Sequence, residues 1–587
     1  MAIAIAIIVV FAALLALVVP GVLIVSAACP GRTRQWRWTT GATLGVAAGI
    51  YVSFLLSYED IYLFAPVWAL LGACCFWSWR RQRGKRGRPR ESLTGRPSRL
   101  NWMLLIVLAI IGILRVGTVA GREVPKGWDA SFHMILTQKI LLSHQIITDW
   151  QPFEAIALNY PLGSHTLIAS LAGVTMLPPH RIFNLLLPMV GVLMTAEVYA
   201  LAVAASRRHG LGLLAAIAYG LLALLGSVDY VRWGGMPNAL GMLFLLSFFR
   251  LLIERDFSLR RWIMAMLVAA IILVHHHMML TACIAMASLA ACALLKKDWK
   301  TATTILVTGM IGSILAAPHV IPYLMKAGQV TSTGVLDFET QRPFWMWLRE
   351  MGWAFSTLAL AGAGLYGWRR FARRQHGHGS PVHWVVPGMI IILMLLYVAT
   401  GIIYPAVQEA HGKQPLGAFT PSRFLTDAVP FAAVFAGYAM YYIVQRRLVG
   451  MRFSQMAALG VIGTVTLLPA WRSMFALDYP LGLVHAYQWV AQNTPPRTIV
   501  ASTDAWAPYL CWRKTLQTPI PVSEPQTFHE DERLLGEYLG TVFSGAIPPA
   551  SPDLVVVRVR RPGDEPGSRV LLHEEAGYAV EQIWPRK

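Results

Sequence analysis

Charge is scarce in this chain. Only 14% of its 587 residues are charged, against about 25% in an average soluble protein, while 56% are hydrophobic. The few charges lie in short segments between apolar runs of 17 or more residues, and each run is long enough to cross a ~30 Å hydrocarbon core as a helix. The composition excludes a soluble globular protein. The net charge of +20 is confined to short loops, which disfavours nucleic acid as a partner.

Cysteine and an N-terminal basic segment are also in short supply. Of the six cysteines, four lie within apolar runs and only Cys511 lies in the polar C-terminal region, so no disulfide framework is expected. No basic residue precedes Arg32, so the apolar run 2–27 lacks the positive segment that begins an ordinary signal peptide. We therefore interpret that run as a membrane span.

The apolar runs predict a polytopic α-helical membrane protein, because they lack the short alternating pattern of a membrane β-barrel. About 14 transmembrane helices are expected, near residues 2–27, 40–57, 62–79, 101–119, 182–205, 211–228, 238–253, 262–274, 278–295, 302–317, 344–366, 383–403, 422–444 and 454–470. The run 262–274 is short, so it could share one crossing with 278–295. The 14-residue stretch 164–177 is too short to span and predicts an outer-face or re-entrant helix.

Loop charges fix the expected orientation. The proposed inner loops hold 27 Lys and Arg but only 4 Asp and Glu; they are 28–39, 80–100, 206–210, 254–261, 296–300, 368–378 and 445–452. The proposed outer loops hold 9 basic and 10 acidic residues; they are 58–61, 120–181, 229–237, 318–343 and 404–423. This difference follows the positive-inside rule. The most basic loop, 80–100, serves either as an orientation signal that touches anionic lipid or as a specific partner site.

The predicted spans and their orientation divide the chain into three regions. Residues 1–100 form additional N-terminal transmembrane helices with a basic cytoplasmic loop. Residues 101–470 form a transmembrane module with a large first outer loop, 120–181. Residues 471–587 have ordinary soluble composition, with strand-like runs at 498–503 and 553–559, and predict a small extracytoplasmic α/β domain. We expect the chain to be integral to a prokaryotic plasma membrane.

The first outer loop carries the leading candidate for chemistry. Asp129 follows Trp128 and opens an amphipathic helix of about 18 residues. One interpretation is structural, because aspartate is a common helix N-cap that accepts backbone N–H bonds. The other is functional, because a carboxylate can accept a proton from a hydroxyl group that attacks an electrophile.

The order of features over residues 101–520 resembles the catalytic subunit of oligosaccharyltransferase and the wider GT-C family of membrane glycosyltransferases. A span leads to a large outer loop with an acidic residue, and an outer helix, a span, a cytoplasmic turn and another span follow. Here the stretch YPLGSHTLIASLAGVTMLPPHRIFNLLLPMVG and its continuation to SVDY has that arrangement. The resemblance implies a GT-C-like fold in which Asp129 is the catalytic carboxylate and the sugar is transferred with inversion.

The same resemblance implies a cation for the donor phosphate. Arg423 begins a span in AFTPSRFL, where the family has an Arg that contacts the lipid-linked phosphate, and a guanidinium binds phosphate through two hydrogen bonds. Alternatively, Arg423 is an interfacial Arg that snorkels to the membrane surface. Lys413 and His276 are further candidates for the phosphate, although the triplet His275–His277 could simply be polar residues at a hairpin turn.

Other loops match the family in kind. Glu339, Arg342 and Trp345 resemble an acceptor or lid loop, although a solvated loop with an interfacial Trp explains them as well. His133 and His165 are weaker candidates on the same face. In the C-terminal region, Trp506 is a further candidate, because it lies where oligosaccharyltransferases read the Asn sequon. Their motif is absent here, which disfavours transfer to Asn.

A metal requirement is in doubt. In oligosaccharyltransferases the second outer loop carries an acidic motif that helps to hold a divalent ion. Here the matching stretch, Gly234 to Asn238, has no carboxylate, and hard cations need several oxygen ligands. Asn238 is kept as a candidate site residue, but a Gly/Pro turn between two spans explains this loop equally well. No cofactor is expected with certainty.

These features favour an inverting glycosyltransferase that moves a sugar from a polyprenyl-phosphate donor to a glycan, lipid or protein acceptor on the outer face. The absence of a Gly-rich nucleotide fingerprint disfavours a nucleotide-sugar donor. The alternatives are a lipid-linked glycan polymerase, ligase or flippase, and a secondary transporter. A transporter is disfavoured because most spans carry no charge at their middle.

The loop charges predict that everything after Trp471 lies outside and that Arg83 lies inside. In a cysteine-free background, a membrane-impermeant maleimide should label Ser551→Cys in intact cells and should label Arg83→Cys only after permeabilisation. Labelling of Ser551→Cys that requires permeabilisation would show that the orientation is inverted.

Overall fold

A computed structural model of the 587-residue chain describes most of the helical bundle and part of the C-terminal region. The described residues are 2–29, 33–85, 99–119, 122–151, 158, 160–254, 260–319, 321–322, 344–372, 385–403, 407, 410, 421–447, 479–495, 498–501, 506–516, 554–559, 569–575 and 578–583.

The chain is a polytopic helical membrane protein. Its first helices are α1 (Ala2–Ala28), α2 (Arg34–Leu56), α3 (Phe64–Lys85), α4 (Arg99–Gly117), α5 (Trp128–Ser143), α6 (Gly163–Thr175), α7 (Pro179–Ser206), α8 (His209–Ile217) and α9 (Asp229–Trp233). They are followed by α10 (Met236–Ile253), α11 (Arg260–Val274), α12 (His276–Leu295), α13 (Trp299–Leu315), α14 (Phe344–Glu350), α15 (Trp353–Ala372), α16 (Val385–Val398), α17 (Pro421–Arg447), α18 (Leu481–Asn493) and α19 (Ala507–Cys511).

Within the described residues, eight helices are long and apolar enough to cross a membrane, or nine if one bent pair is a single span. The eight are Ile7–Ala28, Gln35–Leu56, Ile61–Arg81, Pro179–Ser206, Met236–Ile253, His276–Leu295, Val385–Ile403 and Arg423–Gln445. The polytopic helical class is therefore confirmed. The finer number of about 14 stays a prediction, because 102–117 and 261–274 form shorter apolar helices and 454–470 lies outside the described residues.

Two of the predicted spans are divided in the structure. The span predicted at 344–366 is split into α14 and α15 around Gly352. The span predicted at 211–228 is a bent pair, His209–Leu222 and Leu224–Trp233, which meet at 105°. The bend arises because Ala223 is extended (φ −77°, ψ 121°) and Gly226 adopts a φ of +68°. Hydropathy could not reveal this break, since the residues around it are as apolar as those of a continuous span.

Buried groups replace the hydrogen bonds that the broken helix loses. The fully buried guanidinium of Arg115 on α4 donates to both the carbonyl and the hydroxyl oxygen of Ser227. The Tyr219 hydroxyl donates to the carbonyl oxygen of Gly226 at 2.7 Å, and the Leu224 N–H donates to the carbonyl oxygen of Met351 at 3.1 Å. Irregular backbone is tolerated inside a bundle only when its polar groups find such partners. The two breaks therefore stabilise each other.

The N-terminal helices are joined to the rest of the bundle by a buried ionic network. Glu197 on α7 and Arg250 on α10 form an ion pair at 2.8 Å, and both side chains are fully buried. Thr43 on α2 donates to Glu197 at 2.7 Å, and Arg250 donates to Thr40 on the same helix at 2.9 Å. Hydropathy did not single out these charges, which neutralise one another and tie three helices together.

The C-terminal part contains a five-stranded mixed sheet. The strands are β1 (Ile499–Ala501), β2 (Lys514–Leu516), β3 (Leu554–Val559), β4 (Arg569–Glu575) and β5 (Tyr578–Ile583), in the order β2-β1-β3-β5-β4. Strand β1 pairs in parallel with β2 and β3, whereas β5 pairs antiparallel with β3 and β4. Both runs that the sequence predicts as strands fall on this sheet, at β1 and β3.

The break predicts that replacement by alanine lowers stability at Gly226 but not at Gly364. Gly226→Ala should cost at least about 1 kcal/mol, because a side chain disfavours the left-handed backbone there and its Cβ would clash with the carbonyl oxygen of Thr426. Gly364→Ala is the matched control, since Gly364 lies within α15 and its added Cβ would meet no atom within 4 Å. The measurement is the melting temperature of each purified variant in detergent, compared with that of the wild type. Equal melting temperatures would contradict a left-handed break at Gly226.

Candidate functional site

The two leading sequence candidates meet in the structure. Arg423 donates from Nη2 to Oδ2 of Asp129 at 3.3 Å, although 294 positions separate them. Their side chains are 27% and 33% exposed, so the pair is partly open to its surroundings. A pair of opposite charges at this distance is attractive, but partial exposure keeps it weak enough to exchange partners. The arrangement can therefore offer both a cation and a carboxylate to one ligand.

Asp129 is not the N-cap of its helix, so the capping interpretation was wrong. Gly127 occupies the N-cap position with a φ of +99°, and α5 runs for 16 residues from Trp128. Glycine is needed at this position, because an added Cβ would clash with the backbone of Trp233. The close approach seats the first turn of α5 against the end of α9. Asp129 is thereby free of a capping role and faces Arg423.

Arg423 is positioned by the first turn of α17 and by an aromatic side chain. Its guanidinium carbon lies 5.4 Å from the ring centre of Trp233, within the range of a cation–π contact. Trp233 also packs against Tyr230, with ring centres 5.6 Å apart. Both rings belong to the short helix that follows the break. The broken helix therefore helps to hold the cation of the site.

Burial shapes the protonation of the neighbouring groups. Surrounding protein raises the pKa of Asp129 above its ordinary value, and the Arg423 guanidinium partly opposes that rise. Burial lowers the pKa of His133 well below its usual range, helped by His165 and Arg423, and lowers the pKa of His165 to about 3. Both imidazoles are therefore neutral at neutral pH. His133 Nδ1 and His165 Nε2 lie 3.1 Å apart, so the two rings share one hydrogen bond.

The three consecutive histidines divide their contacts, as expected from helical geometry. His275 and His276 stack on each other with ring centres 4.6 Å apart, and both meet the ring of Tyr160 edge-on. His277 instead lies 2.9 Å from Oδ2 of Asp427 through its Nε2. His276 was the sequence candidate of the triplet, but His277 is the member that contacts a carboxylate.

Sequence reasoning missed Asp427, Tyr230 and Trp233. Asp427 lies within a predicted span and is only 1% exposed, and an ionisable residue in a span is a candidate functional residue by default. That signal could have identified it. No comparable signal exists for Tyr230 and Trp233, because aromatic residues are common at both ends of membrane helices.

The remaining candidates are dispersed. Asn238 is buried on the first turn of α10, and Trp345 on α14 is 53% exposed beside Arg349. Trp506 is buried and packs against Tyr509, whose hydroxyl lies 2.8 Å from Nδ1 of His180 on α7. The other three candidates, Lys413, Glu339 and Arg342, lie outside the described residues.

The described residues do not fit the divalent ion of oligosaccharyltransferases. In this part of the chain, no three His, Cys, Asp or Glu side chains are arranged to hold a metal ion. Asp129 faces a guanidinium, and Asp229 accepts hydrogen bonds from the Ser227 N–H and the Trp233 indole. The loop from Gly234 is a turn, as the alternative interpretation has it, with Gly234 in the left-handed conformation.

Comparison with known proteins supports the fold. No protein-family model matches the chain, and no curated protein matches it. The crystal structure of the Archaeoglobus fulgidus oligosaccharyltransferase in its apo form matches 78% of this chain and 69% of its own, with a TM-score of 0.50 and 13% identity. The same protein tethered to an acceptor peptide with the NVT sequon gives the same coverage and TM-score at 14% identity.

A third similar structure is ArnT from Cupriavidus metallidurans bound to undecaprenyl phosphate. It matches 83% of this chain and 100% of its own, with 12% identity and a TM-score of 0.49. The structural similarity to GT-C glycosyltransferases that the sequence predicts is confirmed by the two oligosaccharyltransferase structures, at the level of the fold.

Proposed function

We propose that this chain is an inverting glycosyltransferase that moves a sugar from a polyprenyl-phosphate donor to an acceptor on the outer face of the membrane. The observation that carries the proposal is the pairing of Asp129 with Arg423 at 3.3 Å in a partly open position. The reaction needs one cation for the leaving phosphate and one carboxylate for the incoming hydroxyl. Asp129 and Arg423 supply both within one site of a GT-C-like fold.

Arg423 would hold the phosphate of the donor. A guanidinium matches two phosphate oxygens at once and offsets the negative charge that grows as the glycosidic bond to phosphate breaks. The phosphate would then replace the carboxylate of Asp129 as the partner of Arg423. Because the ion pair is partly exposed and modest in strength, Asp129 would not be left as a fully buried carboxylate without a partner when Arg423 turns to the phosphate.

Asp129 would act as the general base. As the acceptor hydroxyl oxygen attacks the anomeric carbon, its proton passes to Asp129, and the bond to the phosphate oxygen breaks with its electron pair on the phosphate. Direct displacement inverts the anomeric configuration. Burial already raises the pKa of Asp129, and losing Arg423 to the phosphate removes the opposing charge, so donor binding would make the carboxylate a stronger base.

The sidedness of the site rests on loop charge. The positive-inside pattern puts the first outer loop, and with it Asp129, outside the membrane. The sheet β1–β5 and helix α18 would then form an α/β domain on the same side, where Tyr509 reaches His180 at the start of α7. A domain there would lie beside the site.

Asp129→Asn should lower sugar transfer about 10²-fold or more, the usual scale for losing a positioned base. The rate of wild-type transfer should fall as the pH is lowered through the pKa of Asp129, because the protonated carboxyl group cannot act as a base. Since that pKa is raised, the fall should begin at a higher pH than for an ordinary aspartate. The residual activity of Asp129→Asn should lack that acidic limb. The measurement is transfer of labelled sugar from a polyprenyl-phosphate donor as a function of pH.

Folding provides the control for this variant. Asp129 is not the N-cap, so the free energies of unfolding of Asp129→Asn and Asp129→Ala should agree within about 0.5 kcal/mol. If Asp129 were the N-cap, the change to Ala would cost about 1 kcal/mol more than the change to Asn. Wild-type turnover in Asp129→Asn would remove the base from the proposal. A large melting difference between the two variants would instead restore a capping role.

Arg423→Ala should weaken donor binding by about tenfold or more, since a charged hydrogen bond to phosphate is lost. Arg423→Lys should restore only part of the affinity, because a lysine cannot make the two-pronged contact. Equilibrium binding of a polyprenyl phosphate to the purified protein measures this. Arg349→Ala is the matched control, because Arg349 likewise stacks on a Trp ring but lies on α14. Unchanged affinity in Arg423→Ala would leave only the interfacial role.

A further inference from the structure

Two polar atoms beside Arg423 are buried without a hydrogen-bond partner. The phenol oxygen of Tyr230 and Oδ1 of Asp427 have none among the residues that the structure describes. The two side chains are only 2% and 1% exposed. Buried polar atoms are nearly always hydrogen-bonded, and a protein that leaves one unpaired loses stability. A polar partner from outside the described chain is therefore expected at each atom.

The backbone places Tyr230 on the segment that runs past Asp427. Gly226 lies so close to α17 that a Cβ would clash with the carbonyl oxygen of Thr426. Seven residues later, Trp233 lies under Arg423. The segment from Gly226 to Trp233 thus follows α17 from Thr426 towards Arg423, and Tyr230 lies on the stretch between. Tyr230 accordingly interacts electrostatically with both Asp427 and Arg423.

The carboxyl group of Asp427 is held in one orientation. Its Oδ2 lies 2.9 Å from Nε2 of His277, and the Thr281 hydroxyl donates to the same oxygen at 3.4 Å. Both partners come from α12, so this oxygen is committed to a contact between helices. The other oxygen, Oδ1, is left for a further donor. The contact to α12 therefore fixes the carboxyl group while keeping one acceptor available.

We propose that Tyr230 and Asp427 bind a hydroxyl group of the donor sugar. A hydroxyl can donate to Oδ1 of Asp427 and accept from the phenol of Tyr230, which satisfies both atoms at once. A second phosphate oxygen fits poorly, because it has no proton to donate to a carboxyl oxygen. Asp427 lies one helical turn from Arg423, about 6 Å along α17, which is the scale of the distance from an anomeric phosphate to a ring hydroxyl.

This inference rests on the proposed function and adds a determinant of sugar recognition to it. Arg423 would hold the phosphate of any polyprenyl-phosphate donor, whereas Tyr230 and Asp427 would recognise what the phosphate carries. Sites that satisfy a substrate hydroxyl discriminate strongly against ligands that lack it, because the buried polar atoms are then left unpaired.

The test compares two kinds of probe on the purified full-length protein. One probe is decaprenyl phosphate, and the others are decaprenyl phosphate linked to mannose, glucose, N-acetylglucosamine or arabinofuranose. The wild type should bind at least one sugar-linked probe more tightly than decaprenyl phosphate. Tyr230→Phe and Asp427→Ala should each lower affinity for that probe about fivefold to tenfold, because each removes one hydrogen-bonding atom of the subsite, and should leave the affinity for decaprenyl phosphate within about twofold.

Tyr219→Phe is the matched control. It removes another buried phenol from the broken helix, but one that already donates to the carbonyl oxygen of Gly226. This variant should lower the melting temperature without changing the ratio of the two affinities. Retained binding of decaprenyl phosphate shows that the Tyr230 and Asp427 variants are folded.

The outcomes separate the two proposals. If the wild type does not bind decaprenyl phosphate, the proposed function fails. If it binds this lipid but the variants keep the full preference for the sugar-linked probe, or if no sugar adds affinity, the hydroxyl subsite is refuted and the proposed function stands. A variant effect on both probes alike would likewise refute the subsite, since it would show that Tyr230 and Asp427 serve the packing of the broken helix.

Discussion

The candidate site depends on a break in a membrane helix. A backbone surrounded by apolar groups must satisfy its own hydrogen bonds, and here Arg115, Tyr219 and the carbonyl oxygen of Met351 do so around Ala223. With those partners in place, the chain turns by 105° and runs back along α17. That turn brings Trp233 under Arg423 and seats α5 with Asp129 beside it. A continuous helix could not make these contacts.

Charge is used in two different ways in this bundle. The ion pair of Glu197 and Arg250 is fully buried and surrounded by Thr40 and Thr43, so both charges are permanently matched. A buried pair of this kind orders the helices around it, and removing one partner would strand the other. The pair of Asp129 and Arg423 is about a third exposed, so it is only partly enclosed by protein. Accessibility, more than ion pairing as such, is the reason why we propose the second pair as the functional one.

Two neutral histidines lie on the Asp129 side of the open pair. His133 and His165 share a hydrogen bond at 3.1 Å, and burial keeps the pKa of both below the neutral range. His133 lies one helical turn from Asp129 on α5, and neither imidazole adds a positive charge to the site. With His133 and His165 neutral, the positive charge next to Asp129 comes from the guanidinium of Arg423.

The sequence by itself determined the membrane class and most helix positions, and it selected Asp129 and Arg423 as candidates, because hydropathy, loop charge and the order of features are local or sequential signals. Only the tertiary structure decided that Asp129 and Arg423 meet, that Gly127 and not Asp129 caps α5, that 211–228 is broken and that His277 contacts Asp427. The contact of Asp129 with Arg423 joins residues 294 positions apart, and the contact of His277 with Asp427 joins residues 150 positions apart. No local pattern encodes such distances, since they arise when apolar helices pack and buried polar groups must find partners.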